Sequence, residues 1–260
     1  MGINDSTRYR VTPFASAIEL EKKIDSFLHL FVSKVSLLNV DDDAYRYKCS
    51  HDKKEYPLKP CVRYLSSLVS SRPQIGKVKS PHSIEMRKRI KDGNAETIKL
   101  AEQIINGNST NKDDRWAYYE GTSYPDIFLH RGNCVVVAEG KWTEHSLTKR
   151  TSHDRNRDQM VRHIDGALQK FPDACIIPLF IFDIDSSKRL FEEATLLNRE
   201  AIKDALKHHG EAEVSLLMKR IILDDKGCVF IKTFQGIVKD LNLSVTFLEK
   251  QSTKRMKINE

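Results

Sequence analysis

The stretch SYPDIFLHRGNCVVVAEGKW, residues 123–142, holds two runs of β-branched and aromatic residues around Gly132-Asn133. Such runs on either side of a Gly-Asn pair form a β-hairpin closed by a two-residue turn. The turn fixes the register: Arg131 faces Cys134, Leu129 faces Val136 and Asp126 faces Glu139. Directly opposed residues share a face, with Cβ atoms roughly 4.5–5.5 Å apart, and Lys141, two along from Glu139, lies on that face too. The opposite face keeps Val136, Ala138 and Trp142 for packing. The hairpin thus gathers two carboxylates and an amine at one end of a strand that is otherwise apolar.

Two opposed carboxylates repel unless positive charge lies between them. An oxygen-seeking divalent cation supplies it; Mg²⁺, with Mn²⁺ as a substitute, commonly uses one or two carboxylates together with water and substrate phosphate. Asp126 and Glu139 are the metal-ligand candidates. Lys141 is placed to hold or deprotonate an attacking water, or to steady charge developing on phosphorus. A lone Glu-x-Lys would be an exposed ion pair of little consequence. Here the opposed acid and the apolar run leading into Glu139 weigh toward a site.

Reading outward, FASAIELEKKIDSFLHLFVSKVSLL (residues 14–38) repeats apolar residues at helical spacing, and VRYLSSLVSS (62–71) is a short helix. Pro73, Gly76 and Pro81 mark a boundary. Residues 1–75 are therefore expected as an N-terminal helical accessory region that reads substrate or dimerises, and 76–260 as the main domain, with its core at about 83–185. A charged helical pattern runs from 83 to 105, interrupted at DGN. RWAYYEG (115–121) is expected as a strand that joins the hairpin in a three-strand antiparallel meander. RDQMVRHIDGALQKF (157–171) is an amphipathic helix with Met160, Val161, Ile164, Leu168 and Phe171 as its apolar stripe. ACIIPLFIFDID (174–185) is a strand buried on both faces. After a helical stretch over about 187–208, KRIILDDKGCVFIKTF (219–234) is expected as a last hairpin turning at Asp225-Lys226-Gly227. The fold class is α/β, with a mixed central β-sheet flanked by helices.

PD at 125–126, twelve residues, then EGK at 139–141, after one helix and before another, resembles the PD-(D/E)xK nuclease superfamily of restriction-enzyme-like phosphodiesterases. The resemblance covers roughly residues 83–185 and implies a restriction-endonuclease-like core. It implies that Asp126 and Glu139 bind Mg²⁺, with the Gly140 carbonyl as a further ligand, and that Lys141 acts on the nucleophilic water. Some members carry a glutamine on the helix after the lysine strand, the place of Gln159; His163, four residues on, shares its flank of the helix. A solvated surface position is an equal reading for His163. Many members also place a glutamate on the helix before the meander. Glu96 and Glu102 are candidates, Glu85 a weaker one, and Glu120, at the end of the expected first strand, another.

The loop TKRTSHDRNR supplies Lys149, Arg150, His153, Arg155 and Arg157 beside the expected site, where basic residues neutralise phosphates. The whole chain agrees: 43 Lys and Arg against 36 Asp and Glu give a net charge of +7, which favours a polyanionic partner. No apolar run is long enough for a membrane span and no secretory h-region opens the chain. Five scattered cysteines, Cys49, Cys61, Cys134, Cys175 and Cys228, suggest reduced thiols in the cytoplasm. Cys49, His51 and Cys61 are donors of zinc type, but without a fourth at suitable spacing they read as reduced surface thiols. Neither a Walker loop nor a dinucleotide fingerprint occurs. The expected activity is a Mg²⁺-dependent endonuclease acting on nucleic acid, DNA first, of restriction or defence type, with homodimerisation left open. The rivals are a non-catalytic nucleic-acid-binding or scaffold protein of the same fold, and an RNA endonuclease with the same core.

Overall fold

The computed structural model describes residues 10–32, 45–49, 56–72, 78–107, 109–142, 147, 157–245 and 247. Its centre is the expected hairpin. Strands β2 (Ile127–Arg131) and β3 (Cys134–Lys141) pair antiparallel in the register read from the turn, with Arg131 opposite Cys134 and Leu129 opposite Val136. Gly132 takes a φ of 54°, the left-handed value that the first central position of a type II′ hairpin turn requires.

Around the hairpin, β1 (Tyr45–Cys49) pairs antiparallel with β2, β4 (Cys175–Phe182) parallel with β3, and β5 (Phe230–Thr233) parallel with β4. The result is a five-stranded mixed sheet in chain order. Side-chain alternation gives it two buried faces. Val136, Ala138, Ile177, Leu179 and Ile181 pack with helices α1 (Thr12–Leu20), α2 (Ile24–His29) and α10 (Phe234–Leu241). Val135, Val137, Ile176, Phe180 and Phe182 pack with α6 (Gln159–Lys170), α7 (Lys188–Thr195), α8 (Arg199–Ala205) and α9 (Glu211–Arg220). A third cluster unites α3 (Val62–Ser71), α4 (Pro81–Lys91) and α5 (Ala95–Asn106). Among the described residues no helix is long and apolar enough to cross a membrane.

Pro178 lies inside β4, where a missing N–H would break a ladder. The Ile176 carbonyl accepts from Ile222 N at 2.9 Å, so even-numbered β4 residues turn their backbone groups to that side. Pairing with β5 begins only at Leu179 opposite Phe230. Pro178 therefore directs its ring nitrogen into the gap between Ile222 and β5.

Four expectations change. RWAYYEG is not a strand: Lys112–Ala117 form a 3₁₀ helix, and the carbonyls of Trp116 and Tyr118 accept from the buried Arg87 (2.9 and 2.8 Å) instead of from a neighbouring strand. The third antiparallel position belongs to β1, from a segment whose polar character hid it. The continuous helix read over 14–38 is broken at Lys22, which has a φ of 55°. The last hairpin keeps its turn, with Asp224 N donating to the Cys228 carbonyl at 2.9 Å, but its two arms do not pair as strands. Asp224 ties the turn through the N–H groups of Lys226 and Cys228 (3.0 and 2.8 Å), but Ile221 bridges Ile176 and β5 adds in parallel to β4. The expected accessory region also contributes to the main core: Phe14, Ile18, Phe27 and Leu28 are buried in one cluster with β2, β3 and β4.

Candidate active site

Val135, Val137 and Glu139 follow one another on the face of β3 that meets α6. The parallel pairing of β3 with β4 places Glu139 and Lys141 at the carboxyl end of β3, the end of an open α/β sheet at which ligands bind. Glu139 is 1 % exposed, and a carboxylate there must be hydrogen-bonded to stay ionised. It is. Gln159 Nε2 donates to Oε1 at 2.8 Å, His163 Nε2 lies 2.6 Å from the same oxygen, and Lys141 Nζ donates to Oε2 at 3.2 Å. Burial alone would raise the Glu139 carboxyl; the hydrogen bond and charge of His163, with Lys141, outweigh it and hold the group below its ordinary 4.5.

Gln159 and His163 reach one oxygen because they stand four apart on α6, one turn above each other. His163 is fully buried and held on its far side by Ser123 Oγ, 3.2 Å from Nδ1. The solvated reading of His163 is thus replaced by a buried one. Ser123 lies two residues ahead of PD and carried no signal of its own.

Asp126 sits just beyond the first residue of β2, opposite Glu139 in the extrapolated register. Its Oδ2 accepts from Gly140 N at 2.9 Å, across the place where the β2–β3 ladder ends. Since N–H and C=O of one strand residue point the same way, the Gly140 carbonyl also faces this ladder end. Asp126 and the Gly140 backbone thus meet at the hairpin terminus, next to Glu139 along β3. Glycine is required at 140. A Cβ there would collide with Val11 Cγ2 and come 2.9 Å from Phe234 Cζ. Gly140→Ala is expected to lower stability by about 1–3 kcal/mol in urea denaturation; an unchanged midpoint would show that α1 and α10 do not press on this strand.

The other expected site residues divide. Lys149, Arg150, His153 and Arg155 lie outside the described residues. Arg157 is not an exposed phosphate contact. It is 0 % exposed, donates to Glu120 through Nε (3.1 Å) and Nη2 (2.9 Å), and pairs with Asp165 at 2.8 Å. Glu120 is correspondingly occupied, with Arg162 a further 3.5 Å neighbour. Glu96 is exposed on α5 and Glu102 half-buried there, and Glu85 is exposed on α4, paired with Arg89. Among the described residues, none of the three hydrogen-bonds or ion-pairs with Glu139. At the rim, sequence reading missed Arg10, which pairs with Asp183 just past β4 and stacks over Trp142 at 4.0 Å.

Asp158 caps α6 by accepting from Val161 N at 2.7 Å. Burial pushes its carboxyl up from 3.8 to about 6, against the pull of Val161 N–H and His163. A folded-state value above the unfolded one means that the folded protein holds this proton more tightly, so stability falls as pH rises from 3.8 to about 6 and then levels. Asp158→Asn keeps an acceptor at the cap and removes this term. Thermal melts at about pH 4 and about pH 7 should show the variant gaining on wild type at the higher pH; identical pH slopes would contradict the assignment.

No family model, no curated protein and no solved structure matches the chain.

Proposed function

We propose that this protein is a metal-dependent nuclease of PD-(D/E)xK type that hydrolyses phosphodiester bonds in DNA. The observation that carries the reading is the convergence of Lys141, Gln159 and His163 on the buried Glu139, with Asp126 across the hairpin end. Glu139 has these three partners on two elements and lies at the carboxyl end of β3, the end at which open α/β sheets bind ligands. Asp126, Glu139 and the Gly140 carbonyl would hold Mg²⁺, which supplies charge neutralisation at the phosphate and lowers the pKa of an attacking water.

Within this reading each residue has a separate task. Gln159 and His163 fix Oε1 of Glu139 and orient the carboxylate, as positioning residues do. Lys141 keeps its ammonium 3.2 Å from Oε2, close enough to hydrogen-bond the water and to steady charge on the phosphoryl oxygens. The polymer is recognised by charge and stacking. A cleft of about 490 Å³ runs up to the segment before Asp126 and is lined by Lys59, Arg115, Tyr118 and Tyr124 among others. Cations with aromatic rings suit a nucleic-acid strand, and the net charge of +7 has the matching sign. Restriction or defence is the role that the resemblance suggests.

Mn²⁺ binding, followed by water-proton relaxation, tests the metal half of the proposal apart from turnover. Wild type should bind Mn²⁺ in competition with Mg²⁺, and folded Glu139→Ala should lose that site. Equal Mn²⁺ binding by both proteins would sink the assignment.

A further inference from the structure

Away from the hairpin, four side chains of different chemistry meet in the interior. Cys61 immediately precedes α3, Asp165 lies in the middle of α6, and His208 and His209 lie in the 3₁₀ turn Lys207–His209 that follows α8. One donor atom from each falls within 4.8 Å of all the others, and among the described residues this is the one set of three or more His, Cys, Asp or Glu side chains so grouped. Cys61 is 2 % exposed and Asp165 0 %, while the His208 and His209 side chains are 6 % and 7 % exposed. The expectation of a reduced surface thiol at Cys61 is overturned by this burial.

We propose that Cys61, Asp165, His208 and His209 form a structural zinc site that fastens α6 to α3 and to the turn after α8. The inference is independent of the nuclease reading.

The donor set selects the ion. One thiolate, two imidazoles and one carboxylate suit zinc, whereas Mg²⁺ prefers oxygen donors throughout. The spacing agrees. Tetrahedral zinc with ordinary bond lengths sets S···N edges of about 3.6 Å and N···O edges of about 3.3 Å. Cys61 Sγ lies 3.7 Å from His209 Nε2, His208 Nε2 lies 3.2 Å from Asp165 Oδ2, and His209 Nε2 lies 2.8 Å from Asp165 Oδ1. A second observation separates this group from an ordinary polar network. His208 Nε2 and Asp165 Oδ2 are buried and close, yet are not aligned for a hydrogen bond, and His208 Nε2 has no hydrogen-bond partner among the described residues. A buried imidazole nitrogen without a hydrogen bond, 3.2 Å from a carboxylate oxygen in a cluster of four zinc-type donors, is a lone pair that an ion would use.

Outer contacts complete the site. Arg157 Nη2 holds Asp165 Oδ2 at 2.8 Å, the Tyr64 ring meets the His208 ring edge-on at 5.1 Å, and Glu213 Oε1 lies 3.9 Å from His209 Nδ1. Neighbours of this kind orient ligands. On binding, the Cys61 thiol gives its proton to solvent and the imidazoles coordinate as neutral rings; thiolate and carboxylate cancel the charge of the dication. Asp165 is two residues from His163 on α6, so the ion would also hold the helix that presents Gln159 and His163 to Glu139.

Full-length protein stripped by a chelator and titrated with Co²⁺ tests the site. The first equivalent should bind with a thiolate-to-Co²⁺ charge-transfer band in the near ultraviolet. Zn²⁺ should displace it, and the melting temperature should rise on zinc addition. Cys61→Ser should lose the band, His209→Gln should weaken Co²⁺ binding at least tenfold, and Glu139→Ala should keep both. If Cys61→Ser does not fold, the band in wild type and the zinc-dependent rise in melting temperature still decide. Folded wild type that binds no Co²⁺, a band that survives in Cys61→Ser, or a melting temperature indifferent to zinc would overturn the proposal.

Discussion

Lys141→Ala is expected to reduce Mg²⁺-dependent DNA cleavage by about 10²–10³-fold, the scale on which loss of one preorganised electrostatic group slows a reaction. The Lys141 side chain is 14 % exposed and pairs with the buried Glu139, so the variant should also lose some stability and its cleavage is to be read on protein shown by circular dichroism to be folded. Glu139 would lose one of three partners and stay held by Gln159 and His163, so Mn²⁺ binding should persist. That combination separates the roles of the two residues. Glu139→Ala is expected to lose both cleavage and Mn²⁺ binding at this site; Lys141→Ala is expected to lower cleavage alone. Cleavage unchanged by Lys141→Ala would remove the lysine from the chemistry.

The second large effect concerns stability. Arg157→Met should destabilise the fold by about 3–5 kcal/mol, because it strands the buried carboxylates of Glu120 and Asp165 without their shared cation. The arrangement already pulls both ways. Burial alone would lower the Arg157 value, but Asp165 and Glu120 raise it above that of an ordinary guanidinium, and Arg157 in turn is the leading influence holding the Asp165 carboxyl down against its own burial. Because the folded value of Asp165 lies below its ordinary 3.8, its contribution to stability is present above that pH and is lost on acidification through the folded value. Urea denaturation of Arg157→Met checks the prediction. A surface phosphate contact would behave in the opposite way, with DNA affinity and its salt dependence falling and the denaturation midpoint unmoved.

Arg157 also shows where sequence reading stops. It stands in a run of basic residues, and composition alone places such a run at the surface. Its partners lie far off in the chain or inside a helix not yet packed: Glu120 is 37 residues away. No local pattern records that pairing. The same limit hid β1, whose place beside β2 depends on a partner some eighty residues downstream, and hid the meeting of Cys61 with His208 and His209. RWAYYEG failed for a related reason. Its aromatic, strand-favouring composition was overridden when Arg87 of α4 took up the carbonyls that a ladder would have used.

What was legible is local. The Gly-Asn turn fixes the hairpin register within a few residues, and the strands pair in that register from Arg131 opposite Cys134 to Ile127 opposite Ala138. The 3.6-residue repeat of α6 places Gln159 and His163 on one flank, so their joint reach to Glu139 follows once the helix packs on Val135 and Val137. The acid on the preceding helix stayed open in the sequence, and among the described residues no acid on α4 or α5 hydrogen-bonds or ion-pairs with Glu139.

The central claim is tested most directly by incubating plasmid, linear duplex and single-stranded DNA, and RNA, with the wild-type protein in the presence of Mg²⁺, Mn²⁺ or a chelator, beside folded Glu139→Ala. The account predicts cleavage of DNA by wild type with either metal, products ending in 5′-phosphate and 3′-hydroxyl, and no cleavage with chelator or by the variant. Cleavage that survives chelation or the loss of Glu139, or folded wild type that binds these polymers with metal present and cuts none of them, would contradict it.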